Sequence, residues 1–324
     1  MKLLCWPLLC LIPAVIAAAD APEESIELTS TSQVVFADVE AGREVLLADD
    51  EFSRRLSRFD LQSRLKTDKE VTRDDWRKSL GEEVTEWPKD EREKIEQTLA
   101  VLKPKFEKFR LPLPKEILLI RTTGKEEADA AYTRANAIIL PAAKLRHQQP
   151  QLEALLAHEL FHVLSRNDAT VRSALYKIVG FTLGEEVEIP KSLDDRRITN
   201  PDAPRLDAYI TLTNEAQTLT AVPILYATQE YDATKGGRLF DYLTFRLLVV
   251  DKSGGKWHAR MKEAQPVVLD PKKIEDFYDQ VGRNTGYLWH PDEILADNFV
   301  HLVNGRMDLK TPRVTDEMAK VLAK

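Results

Sequence analysis

The spacing of apolar residues changes several times along the chain, and each change predicts an element. After Lys2, residues Leu3 to Ala19 carry no charge and end in Ala17-Ala18-Ala19. That is shorter than the roughly 20 apolar residues of a membrane span and has the small-residue site of a cleaved secretory signal, so residues 1–19 are expected to be a signal peptide. Residues 20 to 48 show no clear period and predict a mobile arm. From Asp49 to Leu80, Phe52, Leu56 and Phe59 recur at helical spacing in a charged background, which predicts short amphipathic helices. After Pro88 a longer helix is expected, because Ile95, Leu99, Leu102, Phe106 and Phe109 repeat on one face until Pro112 to Pro114 ends it. Glu116 to Arg121 reads as a buried strand, and Ala131 to Thr133 with Ala137 to Pro141 as one or two more. Helices follow at Gln151 to Arg166 and Ala169 to Gly180. Between about 185 and 270 the period shortens to that of strands, in Thr218 to Gln229 and Leu239 to Val250 around the turn at Asp232 to Gly237, with a second turn at Ser253-Gly254-Gly255. Helical spacing returns in Lys272 to Val281, Pro291 to Val303 and Thr315 to Leu322.

This order of elements predicts an α+β chain: a mainly helical region at 20–110 and a second unit at 111–324 that carries a β-rich insertion. Composition narrows the chemistry. With 43% hydrophobic and 31% charged residues the chain is of ordinary globular type, neither disordered nor multi-spanning. Both cysteines, Cys5 and Cys10, fall in the signal segment, so the mature chain offers no disulfide, no thiolate metal site and no cysteine nucleophile. The net charge of −7 and the lack of any long basic run argue against nucleic acid or an anionic membrane surface as partner, and no stable membrane insertion is expected once the signal is removed. Histidine is scarce, at six residues, and its placement carries the reading.

His158-Glu159-Leu160-Phe161-His162 stands inside a predicted helix. Histidines four apart lie on one face, about 6 Å apart along the axis, so both imidazoles can reach one zinc ion. Glu159, beside the first of them, is placed to act on a water as general base. A catalytic zinc needs a third protein ligand and an open position. Position 168 is Asp168, so a third histidine six residues on is absent. The segment Trp289-His290-Pro291-Asp292-Glu293-Ile294-Leu295-Ala296-Asp297 offers instead Glu293 as ligand and, one turn on, Asp297 to hold the far nitrogen of a ligand histidine. Glu215, in Asn214-Glu215-Ala216, is the rival third ligand, and His301 a weaker one. For an oxyanion stabiliser the candidates are Tyr287 and His290, just upstream of Glu293, with Tyr231 as a further option.

The pair of helical motifs, His158-Glu159-Leu160-Phe161-His162 and Glu293-Ile294-Leu295-Ala296-Asp297, resembles the gluzincin zinc metallopeptidases, the thermolysin-like clan. The resemblance implies a zincin-like fold, in which a short mixed sheet lies over the active-site helix, with one Zn2+ per chain, Glu159 as base and Glu293 as third ligand. The gap from His162 to Glu293 is longer than in the best-known members. The expected activity is that of an exported, periplasmic or extracellular metallopeptidase acting on a peptide or protein. Ala137 to Leu140 is expected as the edge strand to which that peptide adds. A catalytically inactive envelope binding protein and a zinc hydrolase of a non-peptide amide are the alternatives. With no cysteine to cap the metal, any latency has to be steric or carboxylate-based.

Overall fold

A computed structural model describes residues 25–215 and 217–323, so the expected signal segment lies outside the described residues. The fold is mixed α+β. Its first sheet has the order β1 (Ser25–Thr29), β2 (Ser32–Phe36), β3 (Glu116–Thr122), β5 (Ala137–Pro141), β4 (Tyr132–Arg134). β2, β3 and β5 are parallel; β1 and β4 are antiparallel to their neighbours. Alternate residues of β3 and β5 face opposite layers. Ile117, Leu119, Ile138 and Leu140 pack with α5 (Lys89–Phe106) and α6 (Gln149–Asn167), whereas Ile120, Ala137 and Ile139 pack with α1 (Val39–Leu47), α2 (Glu51–Arg55) and α4 (Arg73–Leu80). A sheet covered on both faces explains why these strands read as unbroken apolar runs. α3 (Arg58–Leu65) completes the outer helical layer.

The mobile arm expected at 20–48 is corrected by this arrangement, since its described part forms β1, β2 and α1. Strand pairing supplies the order there: Val34, Val35 and Phe36 are buried beside β3, a non-local partner that leaves no helical period to detect. The sheet therefore runs across the boundary expected at residue 110. A second correction concerns the edge. β5 is paired on both sides, and the edge strand is β4. A reversal through Ala128 and Asp129, with φ of 54° and 63°, and a turn at Ala135, φ 49°, lay residues 132–134 outside β5.

The second sheet is antiparallel, in the order β10 (Lys256–Ala259), β9 (Leu243–Ser253), β8 (Gln217–Ala227), β7 (Ala208–Asn214), β6 (Phe181–Leu183), with β13 (Val268–Leu269) also on β9. A small ribbon of β11 (Met261–Lys262) and β12 (Gln265–Pro266) lies beyond it. The stretch before β7 holds only the short α8 (Lys191–Asp194) and is otherwise irregular; it carries Asn200 and Asp202. α7 (Ala169–Ile178), α9 (Glu275–Val281), α10 (Pro291–Val303) and α11 (Pro312–Val321) complete the chain.

α6 and α10 pack along one another. Phe299 of α10 lies 5.7 Å from the ring of Phe161 on α6 and stacks at 6.0 Å on Phe106 of α5. α10 starts where Pro291 presets the first turn and the side chain of His290 accepts the Asp292 N–H at 3.2 Å. Its first turn carries Asp292 and Glu293, whose charges suit a helix N-terminus.

Candidate metal centre

His158 and His162 stand one turn apart on α6, with ring centroids 4.8 Å apart. α10 brings a single oxygen of Glu293, Oε2, to 3.2 Å from His158 Nε2 and 3.4 Å from His162 Nε2. The outer nitrogens are held by aspartates. Asp297 Oδ1 lies 3.0 Å from His158 Nδ1, and Asp292 Oδ2 lies 2.7 Å from His162 Nδ1. Each aspartate is itself fixed: Thr285 donates its hydroxyl to Asp297, while Ser165 at 2.5 Å and the Tyr176 hydroxyl at 2.9 Å donate to Asp292. Asn200 Nδ2 donates to the second oxygen of Glu293 at 2.6 Å.

These contacts fix the tautomers. With each Nδ1–H donating to an aspartate, both Nε2 lone pairs face the same carboxylate oxygen, and lone pairs repel unless a cation stands between them. Without a metal, protons fill that role. Burial alone would lower the pKa of His158, but Asp297 and Glu293 outweigh it and push it up to about 10. His162 is likewise raised, against burial, by the carboxylates of Asp202, Glu293 and Asp292. Glu293 moves well below the usual carboxylate range, since the two imidazoles overcome its burial.

The donor set also fits a metal. Ligands about 2.05 Å from a tetrahedral zinc stand roughly 3.3 Å apart, and Glu293 Oε2 makes two separations of that size. His162 Nε2 is buried without a hydrogen bond, since its contact with Glu293 lacks hydrogen-bonding geometry. Charge is compatible with this: five carboxyl groups, those of Glu159, Asp202, Asp292, Glu293 and Asp297, lie around two imidazoles, a balance that either protons or a bound cation offset. The His158, His162 and Glu293 group could therefore hold a metal ion.

Glu159 is 3% exposed, and its Oε2 has no hydrogen-bond partner. Burial, reinforced by Asp202, pushes its carboxyl up to about 8. The ring of Tyr287 lies parallel to that of His158, 6.0 Å away, and burial followed by the charge of Glu293 raises its hydroxyl well above the ordinary value, so it remains a donor. Tyr287, His158, Glu159, Glu293 and Asp297 line one cleft of about 430 Å³.

Other candidates lie elsewhere. His290 is buried at the start of α10, edge-on to Tyr176, with its pKa lowered by burial; it lines a different cavity, behind the metal group, because capping the helix turns its ring away from the cleft. Glu215 is exposed in the β7–β8 hairpin turn at φ 48°, where strand pairing, not helix, sets its direction, and it takes no part in the group. Tyr231 packs between Phe59 and Tyr242. His301 has its Nε2 at 3.3 Å from the Asn284 carbonyl. The residues missed from sequence are Asp292, Asn200, Asp202, Thr285, Ser165 and Tyr176. Asp292 had a signal, an acid beside Glu293 in the same first turn; Asn200 and Asp202 sit in an irregular stretch whose approach to α6 only the tertiary fold creates.

Set against protein-family models, curated proteins and solved structures, the chain matches none of them. The class defined by fold and site is thus a mixed α+β protein with a buried histidine and glutamate group suited to a metal ion. Among the described residues no helix is long and apolar enough to cross a membrane.

Proposed function

We propose that the chain is an exported zinc metallopeptidase of gluzincin type, with a zincin-like catalytic unit, acting on peptides or proteins in the periplasm or outside the cell. The observation that carries this reading is the convergence of His158 Nε2, His162 Nε2 and Glu293 Oε2 at ligand spacing, with the unpartnered carboxylate of Glu159 beside them. His158, His162 and Glu293 would hold one zinc ion. Bound there, zinc would supply Lewis acidity, lowering the pKa of a water and polarising a carbonyl. Asp297 and Asp292 hold the imidazoles with Nε2 inward. Glu159 takes the proton of the attacking water and returns it to the leaving amine. Tyr287 keeps its phenolic proton and stands in the same cleft, placed to donate to the oxyanion of the scissile carbonyl.

Metal analysis of the purified mature protein should find about one zinc per chain. Glu159→Gln should keep that metal and lower hydrolysis of a peptide library by about 10²- to 10⁴-fold. Undiminished hydrolysis by the variant would overturn the mechanism. Amino-terminal sequencing of secreted material, expected to begin at Asp20, tests export.

A further inference from the structure

We infer that the groove along residues 243–246 of β9 is an exosite for an extended, acidic segment of the substrate, so that the enzyme favours long polypeptides over short peptides. The inference rests on the peptidase reading above and adds to it a class of substrate. β9 is covered over its whole length on one side only. β8 pairs with it as far as Leu243, but on the other side β10 reaches only Val250 and β13 only Leu247, so no strand lies beside residues 243–246 there. Pro271, which has no N–H to give a ladder, opens the 3-10 turn Pro271–Lys273 that carries the chain away after β13. The direction of the uncovered backbone groups follows from their neighbours. On β8, the Leu225 carbonyl accepts the Ile198 N–H and the Ala227 N–H donates to the Arg196 carbonyl, each at 2.8 Å and each away from β9. Their cross-strand partners, Phe245 and Leu243, therefore turn their own N–H and C=O outward. Val249 does the same and finds partners, Val267 at 2.9 Å and Arg260 at 2.8 Å.

Leu243 and Phe245 meet instead a groove of about 720 Å³. Four consecutive residues, Leu243 to Arg246, line it, as a groove along a strand edge requires; a groove on one face would meet alternate side chains only. The Phe245 carbonyl accepts from Arg246 Nη1 at 2.8 Å, and an acidic side chain that draws off this guanidinium frees the carbonyl for an added strand. Place and charge name the occupant. The groove shares Phe240, Leu243 and Trp289 with a smaller cavity, which shares Ala130, Ala131 and Tyr287 with the metal cleft. Trp289 lies 4.9 Å from Tyr287, which stacks on His158 at 6.0 Å; at about 3.3 Å per extended residue, the groove begins about three or four residues from the metal. Its cations are Arg246 and Lys272, and among the described residues neither has a carboxylate at ion-pair distance. Asp270, the one carboxylate in its walls, accepts the Lys272 N–H at 3.1 Å. On a chain of net charge −7, this groove draws in an acidic segment that most of the surface repels.

The test takes the shortest peptide cleaved from the library and compares it with the same peptide lengthened by Glu-Val-Glu-Val on its amino or its carboxyl side. One extension should lower KM at least about tenfold with kcat unchanged, as binding common to ground and transition states does. Arg246→Glu combined with Lys272→Glu should remove that gain and leave cleavage of the short peptide as it was, which also shows that the variant is folded. N-methylation of the extension's amides should remove the gain with the protein unaltered. A gain that survives charge reversal or N-methylation, or that neither extension produces while the short peptide is cleaved, overturns the exosite and leaves the peptidase reading intact. A dimer in light scattering that the charge reversal dissociates puts a second copy in the groove and overturns it too. No cleavage of any peptide overturns the peptidase reading, and this inference with it.

Discussion

Asp292 and Asp297 do the same work for different imidazoles, but their surroundings differ. Asp292 is 2% exposed and accepts from His162, Ser165 and Tyr176, whereas Asp297 is partly open to the cleft. Partners of this kind are commonly worth 10- to 100-fold in metal affinity. Asp292→Asn should weaken metal binding by about that factor, measured by competition with a chromophoric chelator, because a neutral amide oxygen holds the His162 Nδ1–H less strongly than the carboxylate does. A second titratable residue lies outside the centre. Glu126 is 5% exposed with neither oxygen hydrogen-bonded, and burial pushes its carboxyl up to about 7 from an ordinary 4.5. The folded chain then holds that proton more tightly than the unfolded chain. The associated stability is fully present below about pH 4.5, declines as pH rises, and is lost above about 7. Glu126→Gln should remove this loss, leaving the variant roughly 3 kcal/mol more stable than the parent at pH 8 and little different at pH 4.5, read from urea midpoints.

At the scale of elements, the site is the crossing of two helices. Each announced itself: α6 by its uncharged flank around two histidines, α10 by Pro291 and the acids of its first turn. Their contact did not, because 130 residues separate His162 from Asp292 and the phenylalanines that join them carry no partner information. Phe299 packs on both Phe161 and Phe106, so Phe299→Ala should cost about 3–5 kcal/mol in denaturant unfolding. It should weaken metal binding as well, because Glu293 and Phe299 share one rigid helix. Strand order was the least legible element property. The apolar runs of β3 and β5 were plain, yet the same run suits an edge or a centre, and the reversal that slips β4 outside β5 depends on Ala128, Asp129 and Ala135, of which only Asp129 is of a type that favours a left-handed turn.

For the whole molecule, the candidate metal centre joins segments distant in sequence: α6, α10 and, through the Asn200 bond to Glu293, the turn at 200–202. A ligand that binds only the folded chain stabilises it by mass action, by about 4 kcal/mol when its free concentration is a thousandfold above Kd. Stripping with a strong chelator should therefore lower the melting temperature, and Zn2+ should restore it; an unchanged melting temperature would deny the centre any part in stability. The sequence alone determined the helices with their one-turn spacing of His158 and His162 and of Glu293 and Asp297, because helical period and capping are local properties. It also showed strands where apolar residues run together. Only the tertiary structure decided that Glu293 and not Glu215 meets the histidines, that His290 caps a helix instead of entering the cleft, and that Asp202 reaches Glu159 and His162. Those outcomes depend on which buried faces fit against each other across more than a hundred residues, and burial of apolar area is non-directional, leaving no local mark of the partner it selects.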